Sequence, residues 1–94
     1  MRYLVLTPKF RWAFQKFCRH DRVRQKRIED ALYLMEQDVF ITSLGTHQLR
    51  GSLSGYWACS CGYDCRIIFS LESDPETGEE RIVLLDVGSH DKVY

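Results

Sequence analysis

Five side chains in the C-terminal half are of types that move protons or hold anions: His47, Asp64, Arg66, His90 and Tyr94. The two histidines ordinarily titrate near neutrality, so either can act as acid or base at physiological pH. Asp64 and Arg66 stand two apart, and a strand would put both on one surface. A carboxylate beside a guanidinium, with imidazoles opening onto the same face, suits chemistry on an anion. No phosphate-cradling glycine loop, Ser-His-Asp order or dinucleotide fingerprint accompanies them. Cys59, Cys61 and Cys65 form a C-x-C-x3-C run. A zinc site needs a fourth ligand, which His47 or His90 could supply, and usually wider pairing of its ligands. Small apolar core residues are the simpler reading, and neither a metal nor any other cofactor is expected. With no secretion signal, all four cysteines, Cys18 included, are expected as reduced thiols.

The elements that must position these groups are legible in the pattern. Residues Gly55–Phe69 (GYWACSCGYDCRIIF) place Cys61-Gly62-Tyr63-Asp64 between two aromatic and β-branched runs, which signals a hairpin. On a second arm from Asp64 to Leu71, residues Cys65, Ile67, Phe69 and Leu71 share one face, and Asp64, Arg66, Ile68 and Ser70 share the other. Upstream, Arg2–Leu6 reads as a first strand. Thr7-Pro8 then starts a helix with Thr as cap and Pro at the first helical position. Phe10, Ala13, Phe14, Phe17 and Cys18 recur at helical spacing. Asp21 caps a second helix to Gln37, with Ile28, Ala31, Leu32 and Met35 on one face. His47–Leu53 reads as a short edge strand, Glu72–Glu80 as an acidic turn segment, and Arg81–Val87 as a central strand. The order β-α-α-β-β-β predicts one α+β domain over residues 1–94, a small, mainly antiparallel sheet with two N-terminal helices packed on one face.

Net charge is zero, yet residues 1–28 hold nine Lys or Arg against one acid, and residues 29–94 hold four against twelve, giving +8 and −8. The first turns of the second helix carry Arg22, Arg24, Lys26 and Arg27. Cations there oppose the helix dipole at a cost of a few tenths of a kcal/mol each, which favours a role in binding an acidic partner. No stretch approaches the roughly 18 apolar residues of a membrane span, so a soluble, cytoplasmic protein without membrane contact is expected.

The motifs have a family likeness. Thr46-His47-Gln48-Leu49-Arg50-Gly51, then Leu53-x-Gly55-Tyr56-Trp57, then Tyr63-Asp64-Cys65-Arg66-Ile67-Ile68-Phe69, closing on Gly88-Ser89-His90, resemble the RelE/ParE superfamily of bacterial toxins, and within it the YafQ-like branch. The resemblance implies the toxin of a type II toxin–antitoxin pair, an mRNA endonuclease that works without metal at the ribosomal decoding site. A cognate protein antitoxin would silence it in a hetero-oligomer. Matched position by position, His47, Asp64, Arg66, His90 and Tyr94 fall on the catalytic positions. Lys9, Arg11, Arg22, Arg24, Lys26, Arg27 and Arg50 would grip ribosome and message. Ser60 stands where the branch has a further histidine, and Asp86 where it can carry a basic residue. A ParE-type toxin that inhibits DNA gyrase, or an inactive relic that binds only an antitoxin, are the alternatives on the same fold.

Overall fold

The computed structural model describes residues 2–93, so the expectation placed on Tyr94 lies outside the described residues. The chain runs β1 (Tyr3–Leu6), α1 (Pro8–Phe17), α2 (Arg22–Gln37), β2 (His47–Gln48), β3 (Trp57–Ser60), β4 (Arg66–Ser73), β5 (Glu80–Gly88) and a terminal helical turn, α3 (His90–Val93). The sheet has five strands in the order β1-β5-β4-β3-β2. Strands β2 to β5 pair antiparallel, while β1 lies parallel to β5. This is the expected α+β architecture, except that four strands, β2 to β5, follow the helices where the order β-α-α-β-β-β counts three.

Both helix starts form as their caps dictate. The Thr7 hydroxyl accepts the Phe10 N–H at 3.1 Å and donates to the Leu84 carbonyl at 2.7 Å, so one side chain caps α1 and ties it to β5. Asp21 accepts the Arg24 N–H at 2.9 Å at the start of α2. The apolar faces of the two helices (Phe10, Ala13, Ile28, Ala31, Met35) close over one face of the sheet, where Cys59, Ile67, Phe69, Ile82, Leu84 and Val87 complete a buried core. Burial of this kind contributes about 1.5–3 kcal/mol per large side chain. The Cys59 thiol lies 3.8 Å from the Met35 sulfur, and desolvation pushes its pKa up to about 12, so it stays protonated.

Four expectations are corrected. The edge strand over His47–Leu53 shrinks to His47–Gln48, and Gly51–Leu53 forms a 3-10 turn, because Gly51 takes a left-handed φ of 69° that ends the extension. Asp64 is not on the strand: its φ is 50°, it belongs to the hairpin turn, and β4 begins only at Arg66. Cys61 and Cys65 are joined in a disulfide, leaving Cys18 and Cys59 as buried thiols. The hairpin turn brings the Cα atoms of Cys61 and Cys65 to 5.0 Å, inside the range a disulfide spans. Finally, β4 continues to Ser73, so the acidic segment contracts to a tight turn in which Asp74 accepts the Glu76 N–H at 2.8 Å and pairs with Arg81 at 2.8 Å. Among the described residues no helix is long and apolar enough to cross a membrane.

Candidate functional site

The site is built at the turn end of the β3–β4 hairpin. Cross-strand pairs share a face, and Ser60 lies opposite Arg66, which in turn lies opposite Gly88. Ser60 and Arg66 therefore project on the side away from the core residues Cys59 and Ile67. The turn Cys61–Cys65 then curls over this row. Gly62 makes the bend with a φ of 127°, and its carbonyl accepts the Cys65 N–H at 3.2 Å and the Ser60 hydroxyl at 3.3 Å. The Arg66 guanidinium folds back along the turn and donates to the Cys65 carbonyl at 3.0 Å.

A second link comes from β5. Gly88-Ser89 leads out of the strand, and the His90 backbone N–H donates to the Asp64 carboxylate at 3.0 Å. The carboxylate thus holds the start of α3 against the hairpin turn, across 26 residues of sequence. Together Ser60, Gly62, Tyr63, Asp64, Arg66 and His90 line an open depression of about 490 Å³. A guanidinium, a carboxylate, an imidazole and a phenol share one concave surface, a set able to hold a phosphate and exchange a proton with it.

The predicted residues divide accordingly. Asp64, Arg66 and His90 are brought together; His47 is not. The register puts His47 opposite Ala58, which faces Ile68, so it shares the sheet face of Arg66. Two strand spacings and two residues along separate the His47 and Arg66 Cα atoms by roughly 12 Å. His47 Nδ1 lies 3.0 Å from the Gly45 carbonyl, at the sheet edge.

The basic residues also separate. Arg11, Arg22 and Arg50 are exposed. Arg24 is committed to structure: its guanidinium sits 4.1 Å over the Phe17 ring and donates to the Phe17 carbonyl at 3.0 Å, closing the α1–α2 corner. Lys26 pairs with Asp30 at 3.1 Å and Lys9 with Asp86 at 3.7 Å. Arg27 reaches the site's own loop, since a Cβ on Gly62 would stand 3.2 Å from the Arg27 Cδ. A second concavity of about 450 Å³ runs between α1, β5 and α3, lined by Trp12, Phe17 and Val93 with Lys16, Arg19 and Arg24 around them.

Two features of the site were not foreseen as such. Tyr63 lines the depression and is 95% exposed. The Cys61–Cys65 bridge closes its loop. The signal for both was a glycine turn flanked by cysteines four apart with an aromatic at its tip.

No family model matches this chain, and no curated protein is significantly similar to it in sequence. Solved structures are similar in fold. The YoeB/ParE toxin from Agrobacterium tumefaciens is 18% identical, with a TM-score of 0.76 over 94% of this chain and 98% of its own. YafQ from E. coli strain BL21(DE3) is 14% identical, with a TM-score of 0.73 over 100% of this chain and 99% of its own. A chain of the heterotetrameric YoeB-YefM toxin–antitoxin complex from Staphylococcus aureus is 16% identical, with a TM-score of 0.67 over 96% and 98%. The chain has the fold of these toxins along nearly its whole length, as the motif resemblance implied.

Proposed function

We propose that the protein is the toxin of a type II toxin–antitoxin pair and cuts messenger RNA on the ribosome without a metal. The observation that carries this reading is the convergence of Arg66, His90 and Asp64 in one depression, on a fold shared with YoeB and YafQ. RNA supplies its own nucleophile, the 2′-hydroxyl. Cleavage then needs a base for that proton, an acid for the departing 5′-oxygen, and positive charge beside the phosphorane. Arg66 stabilises the phosphorane with the fork of its guanidinium. His90 exchanges the proton, and Asp64 aims His90 by accepting its backbone N–H. His47, a dozen ångströms across the same face, meets the other flank of the substrate and completes the acid/base pair only once RNA spans the two. Tyr94 falls at the terminal aromatic position and is assigned to base contact. Exposed Arg11, Arg22 and Arg50, with Arg27 beside the loop, give the phosphate contacts; Lys9 and Lys26 add theirs once they leave Asp86 and Asp30. Arg24 contributes through the α1–α2 corner.

The antitoxin has a natural seat. The groove between α1, β5 and α3 pairs Trp12, Phe17 and Val93 with Lys16, Arg19 and Arg24 beside the Lys9–Asp86 ion pair, which suits an acidic amphipathic segment. The YoeB-YefM heterotetramer is the fold relative that motivates a hetero-oligomer here.

Primer extension on a defined message in a translating extract tests the reading. Cuts confined to translated message are expected, and His90→Gln is expected to abolish most of them while the circular dichroism spectrum is unchanged. Intact message with continuing synthesis refutes the endonuclease reading; inhibition of gyrase supercoiling by the same protein would then establish the ParE-type alternative.

A further inference from the structure

We propose that Tyr63 is a base-stacking residue that seats the RNA, an inference that rests on the endonuclease reading above. The position is unusual for an aromatic. Tyr63 is 95% exposed, so its ring contributes almost nothing to the protein's own core, whereas Tyr56 on the same hairpin is 39% exposed. The loop that carries it, by contrast, is tied through its neighbours. The Cys61–Cys65 disulfide closes the loop beneath it, the Cys61 N–H donates to the Cys65 carbonyl at 3.0 Å, and Asp64 is bound to the His90 N–H. The result is an exposed ring on a cross-linked loop, free to meet a ligand and lining the same depression as Arg66 and His90.

The other strongly exposed rings lack this setting. Trp12 lies under the Lys16 ammonium at 4.8 Å, on the far groove; Tyr33 stands on α2 and does not line the depression; Phe40 meets the Trp57 ring edge-on at 5.5 Å; and Tyr3 stands on the edge strand β1. A base needs a flat apolar face, and its phosphate needs a cation one backbone step away; Tyr63 and Arg66 are three residues apart on the same loop and strand. Stacking ignores base identity because every base has a π-face. Tyr63 therefore raises occupancy without dictating sequence, holding a splayed base while the neighbouring phosphate lies on Arg66. The phenol hydroxyl has no part in this, so phenylalanine should replace it.

The test is single-turnover cleavage on ribosomes programmed with a defined message, for the wild-type protein, Tyr63→Ala and Tyr63→Phe. Stacking by one aromatic corresponds to about 5- to 150-fold in binding. Tyr63→Ala is expected to raise the half-saturating concentration by that factor with the maximal rate retained, and Tyr63→Phe to behave as wild type. A Tyr63→Ala protein that saturates at the wild-type concentration overturns the proposal and leaves the endonuclease reading standing. So does a fall in maximal rate alone, or a Tyr63→Phe protein as weak as Tyr63→Ala. No cleavage by the wild-type protein removes both. An exposed ring carries no folding burden, so unchanged thermal melts of both variants are expected alongside.

Discussion

Reduction of the Cys61–Cys65 bridge should loosen the hairpin that carries the site, by an amount the loop length sets. The bridge joins residues four apart, closing a loop of five. In the chain-entropy description, a five-residue loop removes about 7 cal/mol/K from the unfolded ensemble, or about 2 kcal/mol at 25 °C. For a domain of this size, 1 kcal/mol moves the melting temperature by about 4–8 °C. The oxidised protein should thus melt roughly 8–16 °C above the dithiol-treated one. Circular dichroism melts of both forms, with free thiols titrated under denaturing conditions, check this. Two thiols are expected in the oxidised form and four in the reduced form. Superimposable melts with four thiols titrated would refute the reasoning, since the turn would then be held by its hydrogen bonds and by Arg27 over Gly62. A Cys61→Ser/Cys65→Ser double variant should melt with the reduced protein.

Two further outcomes follow from contacts at the turns. Asp64→Ala removes the acceptor of the His90 N–H and should lower stability by about 1 kcal/mol, read from the urea midpoint, while cutting activity more than that loss explains; full activity would show that α3 needs no anchor. The Asp74 carboxyl is held below its ordinary value by the N–H groups of Glu76 and Thr77, with Arg81 adding its charge. A depressed folded pKa means its contribution is fully present above the unfolded value near 4 and is lost as pH falls through the folded one. Asp74→Asn should therefore flatten the acid limb of the stability–pH curve below about pH 4 and leave the neutral region's slope unchanged; an unaltered acid limb would refute it.

Local chemistry made much of the fold readable. Thr7-Pro8 and Asp21 announce helix starts because a cap is settled by three or four neighbouring residues, and the apolar periodicity of α1 and α2 states which faces are buried. The β3–β4 hairpin and the central β5 were legible for the same reason. What escaped depended on backbone conformation that side-chain pattern does not encode. A left-handed Asp64 looks in sequence like the first residue of a strand, and a left-handed Gly51 looks like a residue within one. Nor does alternation reveal that β1 returns to pair in parallel with β5, or that a bulge at Leu85 lets Ile68 face Asp86 while Phe69 faces Leu84. Among the candidate site residues, Asp64, Arg66 and His90 were picked out by type, and the structure brings these three into one depression. The separation of His47 and the exposure of Tyr63 came from strand order and loop closure.

The parallel pairing of β1 with β5 also governs how the molecule assembles. Tyr3 meets Arg81, a separation of 78 residues (81 − 3). Closing so large a loop costs about 4 kcal/mol of chain entropy before any contact repays it. The β3–β4–β5 meander, by contrast, forms through short turns. The loop lengths predict that the local pieces form first and β1 docks last. Until it does, the edge of β5 that β1 will cover, at Arg81 to Leu84, stands unpaired one strand in from the outer edge of the future sheet. The interval before β1 arrives is when a chain of this design is most prone to pair with a neighbouring copy, and it ends when the first strand closes over the last.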